Sequence, residues 1–462
     1  MTATASPGHP RGLYYLALTE IWERFSFYGM RALLVLYMVQ QLLLPGRIEN
    51  VAGMAVYRSA LESVLGPMST QVLATQTFGF YAGLVYLTPL IGGWMADRWI
   101  GVRKTVMSGI ALMTAGHIAM VFDASFLLAL LLLILGSGCL KGNIAAQVGH
   151  LYPEHEEARR SHGFTIFSTG INIGAVLGPL VCGLIAQVYG WHAGFGLAGG
   201  MMIVAALVYL AGLRHFTPEQ PIAEKAARAR LTRDEWRITW LVIGVLLLST
   251  LQFLAYDQLA NSGMIWMDSH ADLDTRFGTV PVAWFVSIDA MSSILSVPLL
   301  LWFYNRQAAK GREPDDFGKI MLGGVLLASA NIVLAIGDWA AGDGKAPIIV
   351  PVFAAICSGA GFIAAWPTML ALVSRRAPAS INAVMMAGVY LTAFASGIAS
   401  GFVSRLYEVM DGSQFWLLNA CFPLAGVLAL LVTRRWFKSR MDAHEAHTAQ
   451  QAGAHGEVEV QQ

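Results

Sequence analysis

Apolar positions in this chain gather into runs long enough to cross a bilayer. The runs fall near 13–40, 73–95, 104–122, 126–148, 163–188 and 193–213, then near 238–263, 282–304, 318–338, 347–373, 383–405 and 414–433. About 20 mostly apolar residues are needed to cross a hydrocarbon core, so the pattern predicts twelve spanning helices, spans 1 to 12. The stretch 214–237 is too short and too charged to hold another span. It reads as a cytoplasmic linker, with room for an amphipathic helix lying on the membrane. The expected organisation is all-α and integral to the membrane. A six-helix bundle over 1–213 is joined by the linker 214–237 to a pseudo-symmetric bundle over 238–440, and a disordered tail covers 441–462.

Composition agrees with a polytopic membrane protein: 56% of the 462 residues are hydrophobic and 13% charged, where soluble domains carry about 25% charge. The net charge of +1 hides a strong sidedness. With alternating spans, 22 of the 30 basic residues fall on one side, which puts both termini in the cytoplasm. Met1–Arg11 is short and polar and predicts no cleaved leader. Cys139, Cys182, Cys357 and Cys421 lie in apolar runs, and no disulfide framework is expected. The bilayer is the expected surrounding, and nothing in the pattern calls for nucleic acid, metal or cofactor.

Span 1 breaks the apolar rule. Thr19–Arg31 reads T-E-I-W-E-R-F-S-F-Y-G-M-R, with Glu20, Glu23, Arg24 and Arg31 inside a spanning run. Each such charge costs roughly 2.5–3.5 kcal/mol at a bilayer centre on insertion scales. Glu20, Arg24, Tyr28 and Arg31 share one helical face by their spacing, and Glu23 lies close to it. A polar stripe on a spanning helix must face a protein interior or a wet cavity, which predicts a transport pathway.

E-I-W-E-R-F-S-F-Y-G resembles the E-x-x-E-R-F-x-Y-Y-G signature of the proton-dependent oligopeptide transporters, a branch of the major facilitator superfamily, with Phe27 in place of the first tyrosine. The resemblance implies a major facilitator fold and proton-coupled import of di- or tripeptides or peptide-like molecules by alternating access. Gly92–Lys104 resembles the superfamily's G-x-x-x-D-R-x-G-R-R/K loop, and Asp97 and Arg98 are its expected cytoplasmic gating residues. Such halves rock as rigid bodies about a site near the midplane.

Other spans carry further candidates. Span 4 ends G-S-G-C-L-K-G-N, where the family has K-P-N; Lys141 either pairs with Glu20 and Glu23 or snorkels toward the cytoplasm. With Arg24 and Asp257, these three residues are the expected proton-coupling set. Asn172, in the F-T-I-F-S-T-G-I-N-I-G segment of span 5, grips a substrate or bonds a neighbouring helix. Tyr86 of span 2 and Tyr28 of span 1 face the pocket or pack as ordinary aromatics. Asp257, in F-L-A-Y-D-Q of span 7, lies at the depth of Arg31 and predicts an extracellular gate, unless it is a structural helix-end acid.

The second half departs from the family. Span 8 reads S-I-D-A where S-L-N-P is usual, and span 10 reads G-F-I-A-A-W-P where G-E-x-x-x-S-P is usual. An acid is thereby lost at Phe362 and gained at Asp289, and span 11 carries Val389 at a tryptophan position. Asp289 either receives a substrate ammonium, with Phe362 adding apolar surface, or is a second partner for Arg31 or a proton site coupled to Asp257, with no substrate contact. The expected substrate-binding set is Arg31, Tyr28, Tyr86, Asn172, Asp289 and Phe362. Because these departures touch the pocket, a non-peptide metabolite is the alternative cargo.

Rival classes find little support. No G-x-x-x-x-G-K-[ST] loop is present for an ATP-driven pump, and no G-x-S-x-G elbow for a hydrolase. The H-E-A-H of the tail is one residue short of a metalloprotease motif. Charge pairs across two related halves suit alternating access better than a continuous channel. The expectation is a transporter, not an enzyme, working as a monomer on a small molecule and protons.

Overall fold

The computed structural model describes residues 8–153, 155–218, 232–378 and 381–459. Twelve long helices stand where the apolar runs predicted them: Arg11–Tyr37, Thr70–Met95, Val102–Ala119, Phe126–His150, Glu157–Tyr189 and Trp191–Gly212 in the first half. The second half has Arg233–Ala260, Trp284–Ala308, Asp316–Ala341, Ile349–Arg376, Asn382–Ser404 and Gly412–Glu459. Among the described residues, ten are long and apolar enough on their own to cross a membrane. Span 1 falls short because of its four charges, and span 3 because Arg103, Lys104 and His117 dilute its 18 residues.

Small residues set the packing within each half. A Cβ on Gly92 of span 2 would fall 2.1 Å from the Gly138 carbonyl oxygen of span 4, so the two backbones cross in contact. Hydroxyls join helices the same way: Thr88 donates to Ile134 O at 2.9 Å and Ser26 to Ala198 O at 2.7 Å. Large apolar side chains such as Leu295, Leu299 and Trp302 of span 8 point outward, as lipid-facing positions must.

Three differences from the predicted layout concern its edges. A short helix, Met54–Leu65, follows span 1; twelve residues with Arg58 and Glu62 are too short and polar to register as a span. A second short helix, Ser262–His270, caps span 7, and Ala271–Asp272 pairs in parallel with Ala346–Pro347. Span 12 continues as one helix to Glu459, across most of the stretch expected as a tail. Ala, Glu, Gln and Met favour helix, and lengthening an existing helix needs no new nucleus. In the linker, Thr232 and Glu235 form a reciprocal cap at the start of span 7. The expected amphipathic helix falls on 219–231, outside the described residues.

The halves meet at the end of the bundles where span 1 finishes and span 2 begins. Span 2 packs on span 11, and span 5 on span 8. Gly79 lies against Gly397 and Gly401, while Gly83 lies against Phe394. Gln187 donates to Thr279 O at 2.7 Å, Asn261 to Thr75 O at 3.1 Å and Arg405 to Leu65 O at 2.8 Å. These bonds lie toward the same end of the two bundles. The two bundles are closed against each other at this end.

Candidate transport site

Below the seal lies a cavity of about 280 Å³ between the halves. Tyr28, Arg31, Tyr86 and Asn172 line it from the first half; Tyr256, Asp289, Ser358, Phe362 and Trp366 line it from the second. All six residues expected to bind substrate therefore border one space. Asn172 is exposed to it and makes no hydrogen bond to another helix among the described residues.

Arg31 and Asp257 meet as the shared depth of spans 1 and 7 predicted. Arg31 Nη2 lies 3.4 Å from Asp257 Oδ1, across the two halves. Ser396 of span 11 donates to the other carboxylate oxygen at 2.6 Å, and the Phe78 ring backs the guanidinium at 5.6 Å. Neither Ser396 nor Phe78 was legible beforehand, since a lone serine or phenylalanine in a span carries no distinguishing signal.

Deeper in span 1, Arg24 Nε lies 2.6 Å from Glu20 Oε1 and 3.0 Å from Glu23 Oε2. All three side chains are buried, and only the Glu20 contact has hydrogen-bond geometry. The expected pairing of Lys141 with these carboxylates is corrected. Its ammonium sits 3.9 Å from the centroid of Phe27 and 5.3 Å from that of Tyr86, and it makes no ion pair among the described residues. Arg24 takes both acids because it is adjacent to one and a single turn from the other on the same helix. The face of Phe27, where the family signature has tyrosine, then holds Lys141 as a cation–π contact.

Asp289 is held from two sides. Tyr256 donates to its Oδ2 at 3.0 Å, and Ser358 flanks it. It makes no ion pair among the described residues, so the alternative of a second partner for Arg31 is not realised here. Phe362 stacks with Tyr256, 4.9 Å away at 25°, and with Trp366, 5.9 Å away at 12°. Tyr256 and Trp366 were within reach of sequence reasoning: one precedes Asp257, and the other follows Phe362 by one helical turn.

Asp97 and Arg98 stand apart from this site. They lie exposed on the turn Ala96–Ile100 that ends span 2, with Arg98 over the Trp94 ring at 6.0 Å.

Twelve spans in two bundles that meet at one end around a central cavity carrying a few charged and polar side chains define a membrane transporter. The chain belongs to the Major Facilitator Superfamily, whose family model matches residues 24–402. Its relatives narrow this to the proton-dependent oligopeptide transporter branch. It is 28% identical to a di-/tripeptide transporter of Lactococcus lactis subsp. cremoris, over 93% of this chain and 96% of the relative. It is 27% identical to an uncharacterized transporter of Bacillus subtilis (strain 168), over 92% and 94%. Crystal structures of a peptide transporter POT with sulfate and, as a mutant, with alafosfalin match at TM-scores of 0.82 and 0.81 and 25% and 26% identity. Both comparisons cover 95% of this chain and 97% of the other.

Proposed function

We propose that the protein imports di- or tripeptides, or close peptide-like molecules, driven by protons and moving between outward- and inward-facing states. The observation that carries this is the cavity itself, with the Arg31 guanidinium on one wall and the Asp289 carboxylate on the other. A short peptide is a zwitterion of matching polarity. The non-peptide alternative has less support, because two similar curated relatives, both from Lactococcus lactis, are named di-/tripeptide transporters.

Glu20, Glu23, Arg24 and Lys141 form the proton-coupling set in this reading, with Asp257 as its outer member. Two carboxylates share one guanidinium, so adding a proton to either releases part of Arg24's hold and changes what Lys141 faces. Arg31 and Asp257 form the outer gate, closed in the inward-facing state, and Asp97 and Arg98 belong to the cytoplasmic gate. Arg31 offers its remaining donors to a substrate carboxylate, with Asn172, Tyr28 and Tyr86 beside it. Both termini face the cytoplasm, and one chain suffices for the cycle.

Proteoliposomes test this directly. With an inward proton gradient, labelled dialanine should accumulate above its external concentration and be released by a protonophore. Equal uptake with and without the gradient would remove proton coupling. Uptake of no peptide from a di- and tripeptide panel would remove the cargo assignment.

A further inference from the structure

Lys141 rests on aromatic rings although carboxylate oxygens of the same cluster stand unclaimed. Glu20 Oε2 and both Glu23 oxygens are buried and accept no hydrogen bond among the described residues. The Lys141 ammonium instead lies 3.9 Å from the Phe27 centroid, closer than its 5.3 Å to Tyr86. The Arg24 guanidinium lies 5.9 Å from the same Phe27 centroid. A single buried ring therefore has two cations within the reach of a cation–π contact. Phe27 has no polar atom, so the face of its ring is all that it can offer them.

The ring is also tied to the cavity. Phe27 is 2% exposed and meets Tyr28 edge to face, with centroids 5.1 Å apart at 81°. Tyr28 and Tyr86 both line the cavity, so Phe27 touches the charge cluster on one side and the cavity wall on another. The charges that act on Lys141 are Glu20, Glu23, Arg24 and Arg31, all of span 1. With both acids ionised, Glu20, Glu23 and Arg24 carry one net negative charge, which Lys141 balances. A proton on either acid makes that trio neutral and removes most of its pull on the ammonium. The ring's attraction does not depend on that proton. Away from water, such a contact is worth up to roughly thirtyfold in occupancy.

Resting on the coupling set above, we propose that Phe27 is the positioning residue that seats Lys141 when the acids take up a proton. The seat joins spans 1, 2 and 4 through a single ammonium. Without the ring, the long Lys141 side chain swings toward water past the end of span 4. The proton then enters without acting on the bundle.

Transport of labelled dialanine in proteoliposomes separates this role from simple packing. Phe27→trifluorophenylalanine, introduced by nonsense suppression, keeps the shape of the ring and drains negative charge from its face. It should lower proton-driven accumulation about five- to tenfold while counterflow exchange stays within about twofold of wild type. Phe27→Leu, which keeps bulk without a ring face, should do the same. Phe27→Tyr, whose face still attracts a cation, should stay near wild type in both assays. Wild-type accumulation in the trifluoro protein overturns the proposal. Equal loss of accumulation and exchange in that protein also overturns it, and marks Phe27 as packing alone. Either result leaves the coupling role of Lys141 standing, because Lys141→Ala tests that role separately. Wild-type accumulation in Lys141→Ala overturns the coupling role and this proposal together.

Discussion

Two sites in the protein hold their acids in opposite ways. In the first half, Glu20 and Glu23 lie within 3.0 Å or less of Arg24 on their own helix, and none of the three borders the cavity. In the second half, Asp289 has hydroxyls around it and no cation, and it does border the cavity. A carboxylate out of water needs a compensating partner. The first pair carries its partner with it, so its balance changes only when a proton arrives. Asp289 lacks one, so a ligand can supply it. In the proposed reading, the first set answers to protons and Asp289 to cargo.

The largest expected effect comes from breaking the first kind. Glu20→Gln, Glu23→Gln and Lys141→Ala should each reduce proton-driven accumulation in proteoliposomes to background. Counterflow exchange, which needs no net proton movement, should survive in at least one of the glutamine variants. Wild-type accumulation by all three would detach the cluster from coupling and leave it a structural knot.

Next in size is the cost of removing the shared cation. Arg24→Ala leaves two buried carboxylates without a partner, and breaking a buried pair in this way costs about 3–5 kcal/mol. The variant should melt well below wild type in detergent, and adding Glu20→Gln with Glu23→Gln should restore part of the loss. A melting temperature equal to wild type would mean that water already reaches these acids.

That contrast also explains how far the sequence could be read. The twelve spans were legible because lipid demands about 20 apolar residues per crossing, and few other segments supply them. Charges inside such runs were legible as a site because membranes tolerate them only where they are used or paired. Shared depth was enough to anticipate Arg31 with Asp257, since both belong to helices whose direction the basic residues fix. Depth was not enough for Lys141. Spacing gives the level of a side chain along a helix but not the rotation of one helix against another, and here rotation set Lys141 on Phe27 instead of the carboxylates. The same limit hid the Tyr256 bond to Asp289, whose two residues are 33 apart and on different spans. Ser396 was hidden for a simpler reason, because serines bonded to their own helix are common throughout these spans.

A smaller effect is expected at the seam between the halves. Asp257→Asn removes the anionic partner of Arg31 in the inward-facing state and shifts the population outward. With Cys421 replaced, because it is exposed, a cysteine at Ala260 on the outer end of the cavity should be labelled faster by an impermeant thiol reagent. An increase of about tenfold corresponds to about 1.4 kcal/mol of lost closure. Unchanged labelling in both Asp257→Asn and Arg31→Gln would rule out this gate and assign the seal to the glycine contacts of spans 2 and 11.

The smallest effect sharpens the comparison most. Tyr256 does two things at once: its hydroxyl donates to Asp289 at 3.0 Å, and its ring stacks on Phe362 at 4.9 Å. Tyr256→Phe keeps the ring and deletes the donor. Hydrogen bonds to charged groups are worth about 1.5–3 kcal/mol, but cavity water can take the vacated place and return much of that. Orientation of the carboxylate is what remains lost, so Phe-Ala affinity in calorimetric titration should fall only about two- to fivefold. In an Asp289→Asn background the same substitution should cost almost nothing, because the two residues act as one unit and their effects do not add. An equal loss in both backgrounds would mean that the Tyr256 hydroxyl touches the substrate itself. The second half would then read its cargo through a phenol as well as an acid, and Asp289 would need no aiming.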